Sequence, residues 1–179
     1  MTGFEWIGHI IEWLGSFIPR ILHVKCTHEG VMFSGSKSRV LKPGMHVYLP
    51  FYSEPMLYPV KRQTINLPGQ VIMLKDGKEV LANVAVVYEV CDIQKALVET
   101  YDLEDTVRDV SQGSVKRVLS EKTIEEVQNN QHDIDIILSR KVRSNLYPFG
   151  IKVIKAFITD FGRTKILRLV GDKKDVTPL

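Results

Sequence analysis

The stretch that most constrains the fold of this chain lies at residues 79–91, where two kinds of side chain alternate. Every second residue is apolar, apart from the hydroxyl of one tyrosine: Val80, Ala82, Val84, Val86, Tyr88 and Val90. The side chains between them are mixed: Leu81, Asn83, Ala85, Val87 and Glu89. Because successive side chains of a strand point to opposite faces, this alternation predicts a central strand of an antiparallel sheet with one face on the core.

Shorter strands and turns are predicted on the N-terminal side of this strand. Asp76 and Gly77 form the kind of dipeptide that closes a tight hairpin directly before it. Pro43 and Gly44 are predicted to form a turn, because Pro fixes φ and Gly allows a positive φ. Pro50 is predicted to begin a rigid loop at residues 50–55. A second, polar loop is predicted at residues 34–39. Apolar runs predict strands at residues 21–26, 31–33, 46–49, 57–61, 63–67 and 71–75, of which the first two are expected to form a hairpin.

The hydrophobic period changes from strand-like to helical after Asp92. Asp92 is predicted to cap a helix at residues 93–99, and either Asp102 or Asp105 a second helix. Thr123 is predicted to cap a third helix, with Glu126 at the capping-box position and the helix continuing to residue 146.

A last strand is expected at residues 151–161, with residues 151, 153, 157 and 161 as its apolar positions. The order of strands, helices and one returning strand predicts an α+β fold, in which helices pack on one face of an antiparallel sheet.

The N-terminal residues 4–22 are the most apolar part of the chain, and their period is helical. Apolar side chains recur at three- and four-residue steps and form a wide face that we expect to contact a membrane: Phe4, Trp6, Ile7, Ile10, Ile11, Trp13, Leu14, Phe17 and Ile18. A narrow strip is polar: Glu5, His9, Glu12 and Ser16. Both tryptophans of the chain are in this segment, and Trp is favoured at membrane–water boundaries.

Four interpretations of this segment compete. A secretory signal would need basic residues before the apolar run, and none is present. A spanning helix must cross a core of about 30 Å, whereas the roughly 15 residues before Pro19 give only about 22 Å. A helix lying in the membrane interface, with its polar strip towards water, is the favoured interpretation. An ordinary amphipathic helix that covers a soluble core is the remaining alternative.

Two rigid turns are predicted to bring a second apolar region to the same bilayer. The turns at Pro43-Gly44 and at Pro50 would hold Phe51 close to the lipid. Four further side chains would add shallow apolar contacts: Met45, Tyr52, Met56 and Leu57. The alternative is that these side chains only close the region of short strands.

Composition and spacing argue against several functional classes. The net charge of +3 comes from scattered Lys and Arg, without the basic stripe of a nucleic-acid-binding protein. Cys26 and Cys91 follow no metal or redox spacing, which predicts two buried or half-buried thiols in a reducing compartment. His23 and His28 give at most a weak metal site, and no phosphate-binding loop or nucleophile elbow occurs. We therefore expect no catalysis and no cofactor.

Several motifs occur in an order that resembles the SPFH (Band 7) domain shared by stomatins, prohibitins, flotillins and their bacterial relatives. They are Glu29-Gly30-Val31, Gly35, residues 41–46, Pro50-Phe51, Arg62 with Thr64, Lys75-Asp76-Gly77, residues 87–92 with Ala96-Leu97, residues 123–126, residues 149–153 and residues 158–160. The resemblance covers about residues 22–162.

The resemblance implies a membrane-attached scaffold that assembles into homo-oligomeric rings or cages, and several family members regulate membrane proteins such as channels or AAA proteases. It implies a membrane-associating segment at residues 1–22, an SPFH-like domain at 23–162 and a short tail at 163–179. The tail has no heptad run, which departs from the family's usual coiled coil. The predicted function is a membrane-anchored scaffold with a lipid bilayer and further copies of the chain as partners. The alternative is a soluble adaptor or inhibitor whose N-terminal helix docks on a partner protein.

Overall fold

A computed structural model describes residues 18–163, which form three small antiparallel sheets and four α-helices. The strands are β1 (Arg20–Val24), β2 (His28–Ser34), β3 (Lys37–Leu41), β4 (Gly44–Tyr48), β5 (Ser53–Pro59), β6 (Gln63–Met73), β7 (Glu79–Val90) and β8 (Ile151–Arg163). The helices are α1 (Ile93–Val98), α2 (Leu103–Ser120), α3 (Ile124–Asn129) and α4 (Gln131–Leu146). The predicted apolar residues from Phe4 to Phe17 and the tail from residue 164 lie outside the described residues.

The strands form several sheets where the sequence predicted one. β1 pairs with β4, β2 lies between β3 and β5, and β7 lies between β6 and β8. The predicted hairpin of residues 21–26 with 31–33 is therefore wrong. Both edges of β2 are hydrogen-bonded to β3 and β5, so β1 pairs with β4 instead.

Two predicted loops are shorter than expected because strands resume early. Gly35 adopts a φ of +58°, which allows a tight turn after β2, so β3 already begins at Lys37. The loop predicted at residues 50–55 is likewise wrong in its second half, because β5 begins at Ser53. Pro55 and Pro59 are tolerated there because β5 is an edge strand of its sheet.

β6 is one strand where two were predicted. Its register with β7 shifts between Leu67 and Gln70, so Pro68 and Gly69 form an irregularity and the strand continues. A Cβ at Gly69 would lie 2.4 Å from the Asn83 side-chain oxygen, so a larger residue there would displace the Asn83 side chain. β6 is also an edge strand, which accommodates Pro68.

The central strand β7 is confirmed, and its apolar face forms the core. All six alternating residues from Val80 to Val90 are at most 7% exposed. They belong to one buried cluster with side chains from α2 and α4, including Val107, Val115, Leu138 and Val142. The helices therefore cover this face of the β6–β7–β8 sheet, and the α+β class is confirmed.

The predicted N-caps are present, but the third helix is interrupted. The side chains of Asp92 and Asp102 accept hydrogen bonds from the N–H groups of Lys95 and Asp105. Thr123 and Glu126 form the reciprocal capping box. The helix then ends at Asn129, because Asn130 leaves the helical conformation (φ −123°, ψ 42°), and α4 begins at Gln131.

The returning strand β8 is confirmed, but its alternation is not regular. Register shifts at Ile154 and Thr159 each add one residue, which turns the following side chains to the other face. The core-facing residues are consequently Ile151, Val153, Ala156 and Ile158. Phe157 is only partly buried, and the Lys155 ammonium lies 5.0 Å from its ring centre.

Candidate membrane-facing surface

The β1–β4 ribbon exposes apolar side chains on one face. Ile21 pairs with Val47, and His23 with Met45. Because side chains alternate along a strand, these four residues share one face. Ile21, Val47 and Met45 are 67%, 68% and 71% exposed.

The opposite face of the ribbon is turned towards the protein. Leu22, His46 and Tyr48 are half-buried, and Val24 is buried. The His46 ring also hydrogen-bonds the Lys42 carbonyl at 2.7 Å. An antiparallel ribbon usually presents polar residues to water, whereas the exposed face of this one is largely apolar.

The exposed face continues onto the end of the ribbon where the chain enters it. Arg20 pairs with Tyr48 at one end of the ribbon. Ile18, which precedes β1, and Leu49, which follows β4, therefore lie at that same end. Ile18, Leu49, Phe51 and Tyr52 are all exposed large apolar residues. We call the combined set the apolar end: Ile18, Ile21, Met45, Val47, Leu49, Phe51 and Tyr52.

Backbone hydrogen bonds hold the loop of the apolar end in place. The N–H groups of Tyr52 and Ser53 donate to the Leu49 carbonyl at 3.0 and 2.8 Å. The hydroxyls of Ser34 and Ser53, 2.8 Å apart, connect this loop to the β2–β3 turn. The loop therefore presents Phe51, which is 66% exposed, on an ordered turn.

Two basic residues lie at the same end. Arg20 begins β1, and Lys37 begins β3 opposite Ser34. Both are exposed. Arg39 pairs with Met32 further along the strand. A membrane surface that carries phosphate groups would thus meet the positive charges of Arg20 and Lys37 at the same end of the domain as the exposed apolar side chains.

The apolar end leaves seven large apolar side chains exposed to water. Full burial of one Val, Ile, Met or Phe side chain stabilises by about 1.5–3 kcal/mol. Several partly exposed side chains that leave water together would gain on the order of several kcal/mol. Contiguous apolar surface of this kind marks membrane or protein interaction sites.

The structure places the predicted site residues in three regions. Ile18 and Phe51 lie at the apolar end, whose loop begins at Pro50. Pro43 lies in the turn between β3 and β4, and Gly44, with φ +141°, begins β4. Asp76 and Gly77 lie elsewhere, in the β6–β7 turn beside Lys122, whose carbonyl accepts from the Lys75 N–H.

Three residues of the apolar end were missing from the predicted contacts: Ile21, Val47 and Leu49. The sequence signal for Val47 and Leu49 was that apolar residues occupy every second position from Met45, with His46 and Tyr48 between them. Of the other predicted contacts, Met56 is exposed on β5 and Leu57 is half-buried.

The polar chemistry of the described region is sparse. No group of three His, Cys, Asp or Glu side chains within residues 18–163 is arranged to hold a metal ion. Cys26 and Cys91 are both exposed, so the prediction of buried thiols is wrong. Cys91 directly follows β7, and Cys26 lies two residues after the end of β1. No helix in the described range is long and apolar enough to span a bilayer.

The sequence matches the model of the SPFH domain / Band 7 family over residues 23–165. The chain belongs to the SPFH family. The apolar end thus lies at the N-terminal side of an SPFH domain, and the predicted resemblance is confirmed.

Relatives of this SPFH protein include archaeal and animal sequences. An uncharacterised protein of Archaeoglobus fulgidus is 25% identical over 156 residues, which are 87% of this chain and 63% of that protein. An uncharacterised protein of Methanocaldococcus jannaschii is 24% identical over 158 residues, 87% of this chain and 79% of its own length. A stomatin homologue of Pyrococcus horikoshii and stomatin-3 of Caenorhabditis elegans are each 24% identical over 118 residues. Those residues are 66% of this chain and 44% of each stomatin relative.

Proposed function

We propose that this SPFH protein is a membrane-attached, homo-oligomeric scaffold that organises a membrane patch or regulates a membrane protein such as a channel or a protease. The observation that supports the membrane role is the apolar end. It lies where the chain enters the domain from the apolar sequence of residues 4–17. One continuous apolar region would then run from that sequence to Phe51. The similarity to stomatins supports the same role.

Flotation with liposomes tests the attachment. We expect the full chain to rise with vesicles that contain anionic lipid. Recovery only in the soluble fraction would contradict the proposal, and a stable complex with one protein without lipid recovery would favour the adaptor function.

A paired substitution tests whether the apolar end takes part. Val47→Asp/Phe51→Asp should lower the recovered fraction at limiting lipid, because two charges would have to enter the interface. Val71→Asp/Met73→Asp is the matched control, since both side chains are exposed apolar residues on β6. Equal loss in both variants would argue against a role of the apolar end.

Light scattering of the detergent-extracted full chain tests the assembly. We expect a species of several subunits. A monomer at every protein concentration would contradict the scaffold.

A further inference from the structure

We propose that the two ends of α2 form complementary surfaces through which one copy of the chain binds the next, head to tail. This inference rests on the proposed assembly and names the surface that builds it. One surface is an exposed aromatic residue with an acidic surround before and along the first half of α2. The other is a groove with an apolar floor and a basic rim at the far end of α2.

The first surface centres on Tyr101, in the short connection between α1 and α2. Its side chain is 104% exposed, and Val98 beside it is also exposed. Tyr is a frequent anchor residue of protein interfaces, because it has a large apolar body and a polar tip. An aromatic side chain held fully in water is therefore a candidate contact for a partner.

The surround of Tyr101 is acidic. Five carboxylates precede or lie in the first half of α2: Glu99, Asp102, Glu104, Asp105 and Asp109. Arg108 is the one basic residue among them, and it pairs with Glu104 at 3.1 Å and with Asp105 at 2.5 Å. This end of the domain thus keeps a clear negative charge.

The second surface lies between the last turns of α2 and the middle of α4. It is a groove of about 330 Å³ whose floor includes Val118 and Ile137. Its charged lining residues are Arg117, Arg140, Lys141 and Glu121, which leaves it basic. Ile137 is exposed in the groove, so apolar surface is open to a partner. The groove thus offers a positive rim and an apolar floor to an acidic, aromatic partner.

The two surfaces cannot overlap. α2 has 18 residues, and at 1.5 Å per residue it separates its ends by about 27 Å. Each copy can therefore place Tyr101 in the groove of one neighbour and receive Tyr101 of another. Such a heterologous contact generates a ring when its rotation closes. A two-fold contact of either surface with itself would oppose like charges, which is unfavourable.

Charge reversal tests the contact in the detergent-extracted full chain. Arg140→Glu/Lys141→Glu should weaken self-association at least about tenfold, because attraction at the rim becomes repulsion. Glu99→Lys/Asp109→Lys should do the same from the acidic side. Mixing the two variants should restore association between unlike chains. The matched control, Lys42→Glu/Lys61→Glu, makes the same charge change on exposed residues that belong to neither surface and should assemble normally.

Cysteine cross-linking tests the head-to-tail geometry. In a Cys26→Ser/Cys91→Ser background, chains with Val98→Cys are mixed with differently tagged chains with Ser144→Cys, which lines the groove. We expect cross-links between unlike tags. Cross-links only between like tags, or none in an assembled sample, would overturn the head-to-tail contact.

Different experimental results would overturn the proposed assembly and the proposed α2 contact. A wild-type chain that stays monomeric would overturn both. A wild-type chain that assembles, with reversed variants that assemble equally well, would overturn only the α2 contact.

Discussion

Two serines show how the same residue type has opposite effects on stability. The Ser139 hydroxyl accepts from the Ala156 N–H at 2.8 Å and donates to the Ala156 carbonyl at 3.0 Å. Ser111 is fully buried in α2, and its hydroxyl has no hydrogen-bond partner within the described chain. A buried polar group without a partner destabilises the folded state, whereas a satisfied one does not.

Substitution of each serine by alanine should therefore change stability in opposite directions. Ser111→Ala should leave the free energy of unfolding unchanged or raise it by about 1 kcal/mol. Ser139→Ala should lower it by about 1 kcal/mol, because two backbone groups lose their partner. Urea unfolding of both variants measures the difference, and equal destabilisation would contradict it.

Tyr88 predicts a loss of stability in alkali. Its burial in the core, and secondly the neighbouring Tyr58 hydroxyl, raise the pKa of Tyr88 well above its ordinary value. The folded state then holds the proton more tightly than the unfolded state. This favours unfolding once the pH exceeds the pKa of an unfolded tyrosine, about 10. Thermal unfolding between pH 8 and about 11 should show this loss, and Tyr88→Phe should reduce it. An unchanged slope in the variant would refute the assignment.

At the scale of elements, α4 closes the free edge of the core sheet. Asp135, Ser139 and Arg143 are spaced four residues apart and so lie on one side of the helix. Asp135 accepts from the Ile158 N–H at 3.0 Å, and Arg143 donates to the carbonyls of Val153 and Ile154. These side chains occupy the hydrogen-bonding groups that would otherwise accept another strand.

Asp135→Ala should open this edge. We expect faster amide hydrogen exchange at Ile158 and a loss of about 1–3 kcal/mol of stability. Asp133→Ala is the control, because Asp133 is exposed on the same helix. If exchange at Ile158 responds equally in both variants, the edge contact is unimportant.

Local signals predicted individual elements well, and their partners poorly. Asp92, Asp102 and Thr123 cap helices through contacts within three residues, so the sequence contains the whole signal. The pairing of β1 with β4 depends on which edges of distant strands are already filled, and no local pattern encodes that. The register shift at Ile154 likewise cannot be seen in the alternation before it.

Prediction of the candidate site was limited in the same way, because its surface depends on which distant strands pair. Ile18 and Phe51 were predicted in two separate apolar regions, and only the β1–β4 register, which places Ile21 beside Val47, connects these regions into one surface. The basic groove is built from α2 and α4, which are distant in sequence, and so gave no signal at all.

At the scale of the whole molecule, the proposed membrane contact and the proposed assembly contact use different elements of the domain. The apolar end lies at the β1–β4 ribbon, whereas the proposed assembly surfaces lie at the two ends of α2. A scaffold needs this separation, because the lipid contact must remain available while copies bind one another.

The most direct test of the central claim is nitroxide accessibility on lipid vesicles. In the Cys26→Ser/Cys91→Ser background, a spin label at Val47→Cys reports the apolar end and one at Asp76→Cys reports the β6–β7 turn. We predict that the label at position 47 becomes more accessible to oxygen and less accessible to a water-soluble nickel complex when vesicles are added, while the label at 76 is unchanged. Full access of the nickel complex to position 47 on vesicles that recover the protein would contradict the account.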